Sequence, residues 1–179
     1  MSQIHQMEVT FAPAQDRLHF RVSTRSRLIE EYRFWLTRRY VRMLWNTILR
    51  MLRGDLEKKA GEGALEAGNA SSEKAQNLAR EHQAAIAKAD FESVWEEAQV
   101  FPLGEDPVLV VRVGIKRGPK GGQVLCMHPR KGTGIEFHLS DRMLHSLCRL
   151  LASSSKKARW DLNLDFTQAD ELFKKRGLN

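Results

Sequence analysis

The sequence predicts a mixed α+β fold made of two successive strand-strand-strand-helix units that share one core. Three observations support this prediction. Several short segments alternate apolar with polar residues, as half-buried antiparallel strands do. Within residues 32–53 the alternation changes to a spacing of three and four, which is typical of an amphipathic helix. Residues 32–48 also align without a gap on residues 135–151, so the unit at about 4–53 is expected to recur at about 108–152.

The first unit is predicted to begin with two strands joined by a tight turn. Apolar and polar residues alternate over Gln6–Phe11 and over Arg17–Thr24, and Pro13–Asp16 supplies turn-forming residues between them. A polar connection over Arg25–Glu31 then leads to a third strand at Tyr32–Thr37. We therefore expect three antiparallel strands before the first helix.

That helix is predicted from Arg38 to Arg53, with apolar residues at helical spacing and arginines on the opposite side. Thr37 and, in the second unit, Ser140 are placed where a hydroxyl accepts a hydrogen bond from a free N–H of the first helical turn. The alignment of the two units pairs Phe34 with Phe137, Leu36 with Leu139, Thr37 with Ser140, Arg39 with Arg142 and Leu44 with Leu147.

Residues 54–107 are expected to form an insertion between the units. Glycines at the start of this region indicate a frayed helix end and a linker. Ser72–Ala89 is rich in helix-forming residues with small apolar side chains, which predicts a helix on the outside or against the end of the first helix. Residues 91–98 are expected to prolong this helix until the prolines of Val100–Pro107 end it.

The second unit repeats the order of the first. Val108–Ile115 and Gln123–His128 have the composition of strands, and Gly118–Gly122 is expected to form the turn between them. Pro129–Gly134 then turns into a third strand at Ile135–Leu139.

A second amphipathic helix is predicted after Ser140 and should end within Ser153–Lys157. Trp160–Phe166 alternates again and is expected to form a final short strand that closes the second unit at residue 166. The tail, residues 167–179, is expected to hold a short helix or to fray.

Length and composition indicate a folded protein without a membrane span. The chain has 179 residues and 42% hydrophobic content, enough for one domain or for two small halves around a shared core. No apolar run approaches the roughly 18 to 20 residues of a membrane helix, and the N-terminus lacks the pattern of a signal peptide. A cytoplasmic location is therefore expected, with Cys126 and Cys148 reduced and buried.

The charge favours a polyanionic partner. Lysine plus arginine outnumber aspartate plus glutamate by 29 to 22, which gives a net charge of +7 and a pI near 9.7. Paired strands would place the basic sides of the second and third strands on one surface beside Trp35, which could stack on bases. Two basic glycine turns could hold phosphates, although such residues are also common at solvated hairpin tips. The candidate nucleic-acid-binding residues are Arg17, Arg21, Arg33, Trp35, Lys116, Arg117, Lys120, Arg130 and Lys131.

A repeated strand-strand-strand-helix unit with basic strand faces and basic hairpins resembles in outline the Whirly and Pur-repeat proteins, which bind single strands on curved sheets. The resemblance concerns the fold. It implies single-stranded DNA or RNA as the partner.

A protein-interaction or assembly subunit is the alternative interpretation. The back of the first helix carries basic residues that, together with the Ala-rich helix after Ser72, could meet an acidic or helical partner, including a second copy of the chain in a homo-oligomer. Basic strand faces and hairpin tips favour nucleic acid, whereas a basic helix back favours a protein partner or plain solvation, and this sequence has both. The candidate partner-binding residues are Arg39, Arg42, Arg50 and Arg53.

No catalytic arrangement stands out, so a non-enzymatic role without a cofactor is expected. Ser153–Lys156 contains a Ser-x-x-Lys string, but it lies at a polar helix end without a partner motif. The carboxylates of Glu30–Glu31 and Glu96–Glu97 are simply adjacent in a charged sequence. No metal site is predicted, because the spacing of four possible ligands matches no zinc motif: Cys126, His128, His138 and His145.

Overall fold

The part of the chain that the computed structural model describes, residues 3–60, 70–118 and 123–166, forms a mixed α+β fold. Its six strands are β1 (Gln3–Ala12), β2 (Arg17–Arg25), β3 (Ile29–Leu36), β4 (Val108–Arg117), β5 (Gln123–Pro129) and β6 (Ile135–His138). Its three helices are α1 (Arg38–Ala60), α2 (Ala70–Ala87) and α3 (Asp141–Lys157). The predicted α+β class is confirmed.

All six strands belong to one sheet, in the order in which they occur along the chain. Neighbouring strands are antiparallel except β3 and β4, which run parallel. The parallel junction is short, because only Phe34 with Val108 and Trp35 with Leu109 are paired across it. Two antiparallel triplets, β1 to β3 and β4 to β6, are therefore joined edge to edge at this junction.

One hydrophobic core lies against a single face of the sheet. Alternate side chains of both triplets, such as Phe20 in β2 and Met127 in β5, are buried there together with the apolar sides of α1 and α3. The rings of Phe34 and Phe137, from different triplets, lie 6.3 Å apart at an interplanar angle of 86°. Burial of these aromatic side chains supplies a large part of the hydrophobic stabilisation.

Both predicted N-caps of the helices are formed. Thr37 Oγ1 accepts a hydrogen bond from the backbone N–H of Tyr40 at 3.2 Å, and Ser140 Oγ accepts one from Met143 at 3.4 Å. Asp141 adds a negative charge to the first turn of α3, where the helix dipole favours it. Each hydroxyl satisfies one of the free N–H groups at its helix start.

Strand β3 begins at Ile29, whereas the sequence predicted a polar connection until Glu31. Arg25 pairs with Ile29, which leaves only three residues for the turn between β2 and β3. Glu31 is only 1% exposed in this strand. A carboxylate is tolerated there because it forms ion pairs with Arg21 and Arg33.

The insertion differs from its prediction at three places. Helix α1 continues through Gly54 to Ala60, where the sequence predicted a frayed end and the start of a linker that reaches Ser72. Residues 61–69 of that predicted linker lie outside the described residues. Helix α2 packs against α3. Residues 91–98 are not helical, because the Asp90 carboxylate accepts hydrogen bonds from the N–H groups of Glu92 and Ser93 in a turn that redirects the chain.

The final strand predicted over 160–166 is not formed. The N–H groups of Leu162 and Leu164 instead donate to the carbonyls of residues 160 and 162, at 2.8 and 2.9 Å. The predicted alternation in burial persists, since Trp160 and Phe166 are buried and join the core. The segment is therefore held by side-chain packing. The tail, residues 167–179, lies outside the described residues.

Helix α3 also covers the outer edge of β1. Ser154 Oγ donates a hydrogen bond of 2.7 Å to the carbonyl of Val9, so a carbonyl at the sheet edge is satisfied by a side chain. Cys148 lies in the core behind this contact, and burial raises the pKa of its thiol. Both cysteines are buried free thiols, as predicted. No helix within the described ranges is long and apolar enough to cross a membrane.

Candidate nucleic-acid interface

The face of the sheet opposite the core, here called the open face, carries the basic and aromatic side chains of the first triplet. The register pairs Arg21 with Arg33 and His19 with Trp35, and Arg17 lies two residues before His19 on the same side of β2. The predicted alignment of these five side chains on one surface is confirmed. Their surroundings, however, divide the open face into two halves.

Residues 91–105, here called the strap, cover one half. Gln6 in β1 donates to the carbonyl of Val94 at 2.8 Å and accepts from the N–H of Glu96 at 2.9 Å. Glu96 also forms a hydrogen bond with His5 and an ion pair with Arg25. These contacts hold the strap across the strand ends where β1 and β3 begin.

Further along, the strap runs beside the start of β3. The N–H of Gln99 donates to the carbonyl of Ile29 at 3.0 Å, and the N–H of Glu31 donates to the carbonyl of Val100 at 2.9 Å. The pairing of Glu30 with Val100 is an isolated parallel bridge. The strap thus shares one edge of β3 with β4.

Arg21 and Arg33, both predicted to bind phosphates, are engaged within the covered half. Arg33 Nε lies 2.6 Å from Glu31 Oε1, and Arg21 forms ion pairs with Glu8 at 2.8 Å and with Glu31 at 3.7 Å. The ring of Trp95 lies 4.2 Å from the Arg21 guanidinium, within the range of a cation–π contact. The Phe101 ring lies 4.5 Å from the Arg33 guanidinium.

The other half of the open face is not covered by the strap. Here the rings of His19 and Trp35 are in contact, with centroids 5.0 Å apart and planes tilted by 43°, and Leu109 is the Cα partner of Trp35 on β4. Leu109 is 37% exposed. We call these three residues the platform. It offers two aromatic rings and an aliphatic side chain in one row across three strands.

His19 contributes a neutral ring to the platform. Burial, and then the positive charges of Arg21 and Arg33, lower the pKa of His19. The imidazole is therefore uncharged at neutral pH, and its Nε2 is buried without a hydrogen-bond partner in the described chain. A neutral ring packs against Trp35 without the cost of desolvating a charge.

Basic side chains flank the platform on both sides. Arg17 precedes His19 at the start of β2, and Arg130 and Lys131 are exposed in the turn after β5, at the strand end where Pro129 pairs with Val110. Arg112 faces the same way as the platform, since its pairing with His128 alternates with the core pair of Val113 and Met127. Among the described residues, none of these four cations has an acidic partner within 4.0 Å: Arg17, Arg112, Arg130 and Lys131.

The two basic turns of the second triplet do not come together. Lys116 and Arg117 end β4 at one end of β5, whereas Arg130 and Lys131 follow β5 at its other end, about 20 Å away at about 3.3 Å per residue. Lys116 forms an ion pair with Glu136. Lys120 lies outside the described residues. Of the described residues in the two turns, Arg130 and Lys131 lie beside the platform.

The basic back of α1 is on the other side of the sheet. Arg39, Arg42 and Arg50 are exposed, and Arg50 donates to the hydroxyl of Thr47 at 3.2 Å. Arg53 is half-buried and has an interaction of its own. Arg39, Arg42 and Arg50 therefore form an exposed basic stripe on α1, and this stripe is distinct from the platform.

A cleft of about 790 Å³ lies along the edge of β1, between the strap and α3. Its polar lining groups have partners within the chain, because Asp90 caps the turn at residues 92–93 and Glu96 pairs with His5. Within the described ranges, no cluster of three or more His, Cys, Asp or Glu side chains could hold a metal ion. The cleft therefore indicates no particular ligand.

Sequence reasoning missed the strap and Leu109. The signal for the strap was present, since Trp95 and Phe101 lie among acidic residues in a segment that two prolines and a glycine interrupt. Nothing in that pattern states which strand the aromatic rings contact. The sequence shows Leu109 as part of an apolar strand. It does not show that β4 pairs in parallel with β3, which places Leu109 beside Trp35.

Comparison with known proteins gives no family model, curated protein or solved structure that matches the chain.

Proposed function

We propose that this chain is a non-enzymatic binding protein that holds single-stranded nucleic acid on the platform. The observation that carries the proposal is the row formed by His19, Trp35 and Leu109 on the uncovered half of the open face. His19 and Trp35 are half-buried there, and Leu109 is 37% exposed. Aromatic side chains on a sheet beside cations are the combination that single-strand-binding proteins use.

In this proposal the rings bind bases and the cations bind phosphates. A base stacks on Trp35, which is worth about 1 to 3 kcal/mol per base. The next base contacts Leu109 or His19. Arg17 on one side, and Arg130 with Lys131 on the other, neutralise the phosphates and release counterions.

The dimensions suit a short stretch of single strand. From β2 to β5 there are three strand intervals, or about 14 Å at about 4.8 Å each. That distance accommodates about four stacked nucleotides at roughly 3.4 Å each. A duplex would leave the rings unused, because paired bases do not present their faces.

Fluorescence anisotropy with labelled oligo-dT and a matched duplex tests the proposal. We expect Trp35→Ala to weaken oligo-dT binding about tenfold or more, because one stacking contact is lost. The Arg130→Ala/Lys131→Ala variant should lower the slope of log affinity against log salt by about 1.4, since two phosphate contacts are lost. Arg39→Ala/Arg42→Ala removes two charges from the opposite side of the sheet and serves as the control.

The outcomes of this experiment distinguish the platform from the basic surface of α1. Loss of affinity in the platform variants, with the α1 control unchanged, supports the proposal. If the α1 variant loses affinity and Trp35→Ala does not, the platform is not the interface. Absence of binding at physiological salt in the unmodified protein rejects nucleic acid as the ligand.

The exposed stripe of Arg39, Arg42 and Arg50 favours a second candidate function, a protein-interaction or assembly subunit. The partner would be an acidic or helical protein, or a second copy in a homo-oligomer. Light scattering at low and high salt measures self-association, and the Arg39→Ala/Arg42→Ala variant shows whether the stripe takes part.

We also infer that the two triplets with their following helices are copies of one ancestral unit. The equivalent positions Thr37 and Ser140 both cap helices, and the equivalent Phe34 and Phe137 meet in the core. These correspondences support the repeat proposed from the sequence alignment.

A further inference from the structure

We propose that the strap is an intramolecular competitor for nucleic acid, and that a bound strand displaces it to reach Arg21 and Arg33. This inference rests on the proposed function of the open face. It extends the proposed interface from the platform into the covered half of the open face. Competition from the strap would lower the protein's affinity for nucleic acid.

The strap presents to the sheet the same kinds of group that a single strand would. Trp95 and Phe101 lay flat rings over Arg21 and Arg33, at 4.2 and 4.5 Å, as bases do over arginines. The carbonyl of Glu105 accepts a hydrogen bond of 3.0 Å from Arg33 Nη1. Rings and an oxygen acceptor therefore occupy the places where bases and a phosphate oxygen would bind.

The charge of the strap also matches that of a competitor. Without the strap, the covered half has three arginines and the two carboxylates of Glu8 and Glu31, a net charge of about +1. Glu96 of the strap forms an ion pair with Arg25 and brings this half to neutrality. Removing the strap would leave a positive surface continuous with Arg17 and the platform.

The strap is held mainly by contacts that water can replace. The side chains of Arg25 and Glu96 are each 47% exposed, and Val94 is 87% exposed. Beside β3 the strap forms one isolated bridge, at Glu30 and Val100, with a few backbone hydrogen bonds around it, and Leu103 is its aliphatic contact with the core. Segments held in this way open at much lower cost than a core.

Glu31 keeps the arginines in place when the strap leaves. Its carboxylate is buried between Arg33 at 2.6 Å and Arg21 at 3.7 Å, and only its bond from Trp95 Nε1, at 3.1 Å, depends on the strap. The guanidinium groups therefore stay oriented, with their faces and remaining N–H groups free for a ligand.

Two alanine variants in neighbouring positions of the strap test the inference by oligo-dT anisotropy. Glu96→Ala removes the hydrogen bond to His5 and the ion pair to Arg25, whereas Glu97→Ala removes an equal charge from an exposed residue that forms no ion pair with another described residue. We expect Glu96→Ala to bind about three- to tenfold more tightly than the unmodified protein, and Glu97→Ala to change affinity less than about twofold. Trp95→Ala should also tighten binding.

Hydrogen exchange gives a readout that does not depend on affinity. The N–H groups of Glu31, Glu96 and Gln99 are hydrogen-bonded in the strap contacts. They should exchange faster when oligo-dT saturates the protein, while core amides of β2 should not. If the unmodified protein binds oligo-dT but Glu96→Ala and Glu97→Ala match it and the strap amides stay protected, the strap inference fails alone. If no variant binds, the proposed function fails as well.

Discussion

Protonation of His82 should loosen the packing of α2 on α3 at acidic pH. His82 Nδ1 lies 3.3 Å from His145 Nδ1, and the Phe166 ring lies 4.2 Å from the His82 ring. Burial, and then the nearby His145 and Arg149, lower the pKa of His82 from 6.5 to about 4. The folded protein therefore resists taking up the proton that the unfolded chain binds below pH 6.5.

The size of this effect follows from the two pKa values. His82 contributes full stability above pH 6.5, and the contribution is lost as pH falls from 6.5 towards 4. At about 1.4 kcal/mol per pKa unit, the loss between pH 7 and pH 4.5 is about 2 kcal/mol after allowance for partial solvent access. Acidic residues titrate in the same range, so the comparison must be between variants.

Urea unfolding at pH 7 and pH 4.5 measures the effect in three proteins: the unmodified chain, His82→Gln and His138→Gln. His138 is an exposed residue of β6, so His138→Gln is the control. The free energy of unfolding should fall by about 2 kcal/mol less in His82→Gln than in the other two proteins. Equal losses in all three proteins would refute the argument that His82 is held neutral by its position. A lower stability of His82→Gln at pH 7 does not affect this difference.

The other stability predictions concern two close contacts. A Cβ on Gly134 would lie 1.9 Å from His128 Nδ1, so Gly134→Ala should lower the melting temperature, and adding His128→Ala should recover most of the loss. No recovery would mean that the His128 ring is not the obstacle. Ser154→Ala should cost about 1 to 2 kcal/mol in urea unfolding, because the carbonyl of Val9 loses its buried donor. Ser153→Ala, at an exposed position, is the control, and an equal effect of the two substitutions would contradict the role of the hydrogen bond.

The elements that the sequence predicted correctly are those specified by neighbouring residues. Period-2 alternation located the three strands of the first triplet, β-forming composition and the alignment of the two units located those of the second, and the change of period at Thr37 located the start of α1. Thr37 and Ser140 could be recognised as caps because a cap depends on residues only three positions apart. The face that carries Trp35 followed in the same way from alternation along β3.

The features that the sequence did not predict depend on distant partners. Residues 91–98 have helical spacing, but the Asp90 turn and the contact of Trp95 with Arg21 override it. Trp160–Phe166 alternates as a strand does, yet alternation does not supply a neighbouring strand to pair with. Lys116 and Arg130 are likewise separated by the length of β5 because of the strand topology. The sequences of the two similar turns do not show this separation.

The short parallel junction between β3 and β4 also has a consequence for folding. Strands within each triplet are joined by short turns and can pair early, whereas Phe34 and Val108 meet only after more than 70 intervening residues have been closed into a loop. Trp35 and Leu109 lie at that same junction. The platform is thus completed only when this long-range closure forms, so a chain with either triplet formed alone would have strands and cations but no continuous platform.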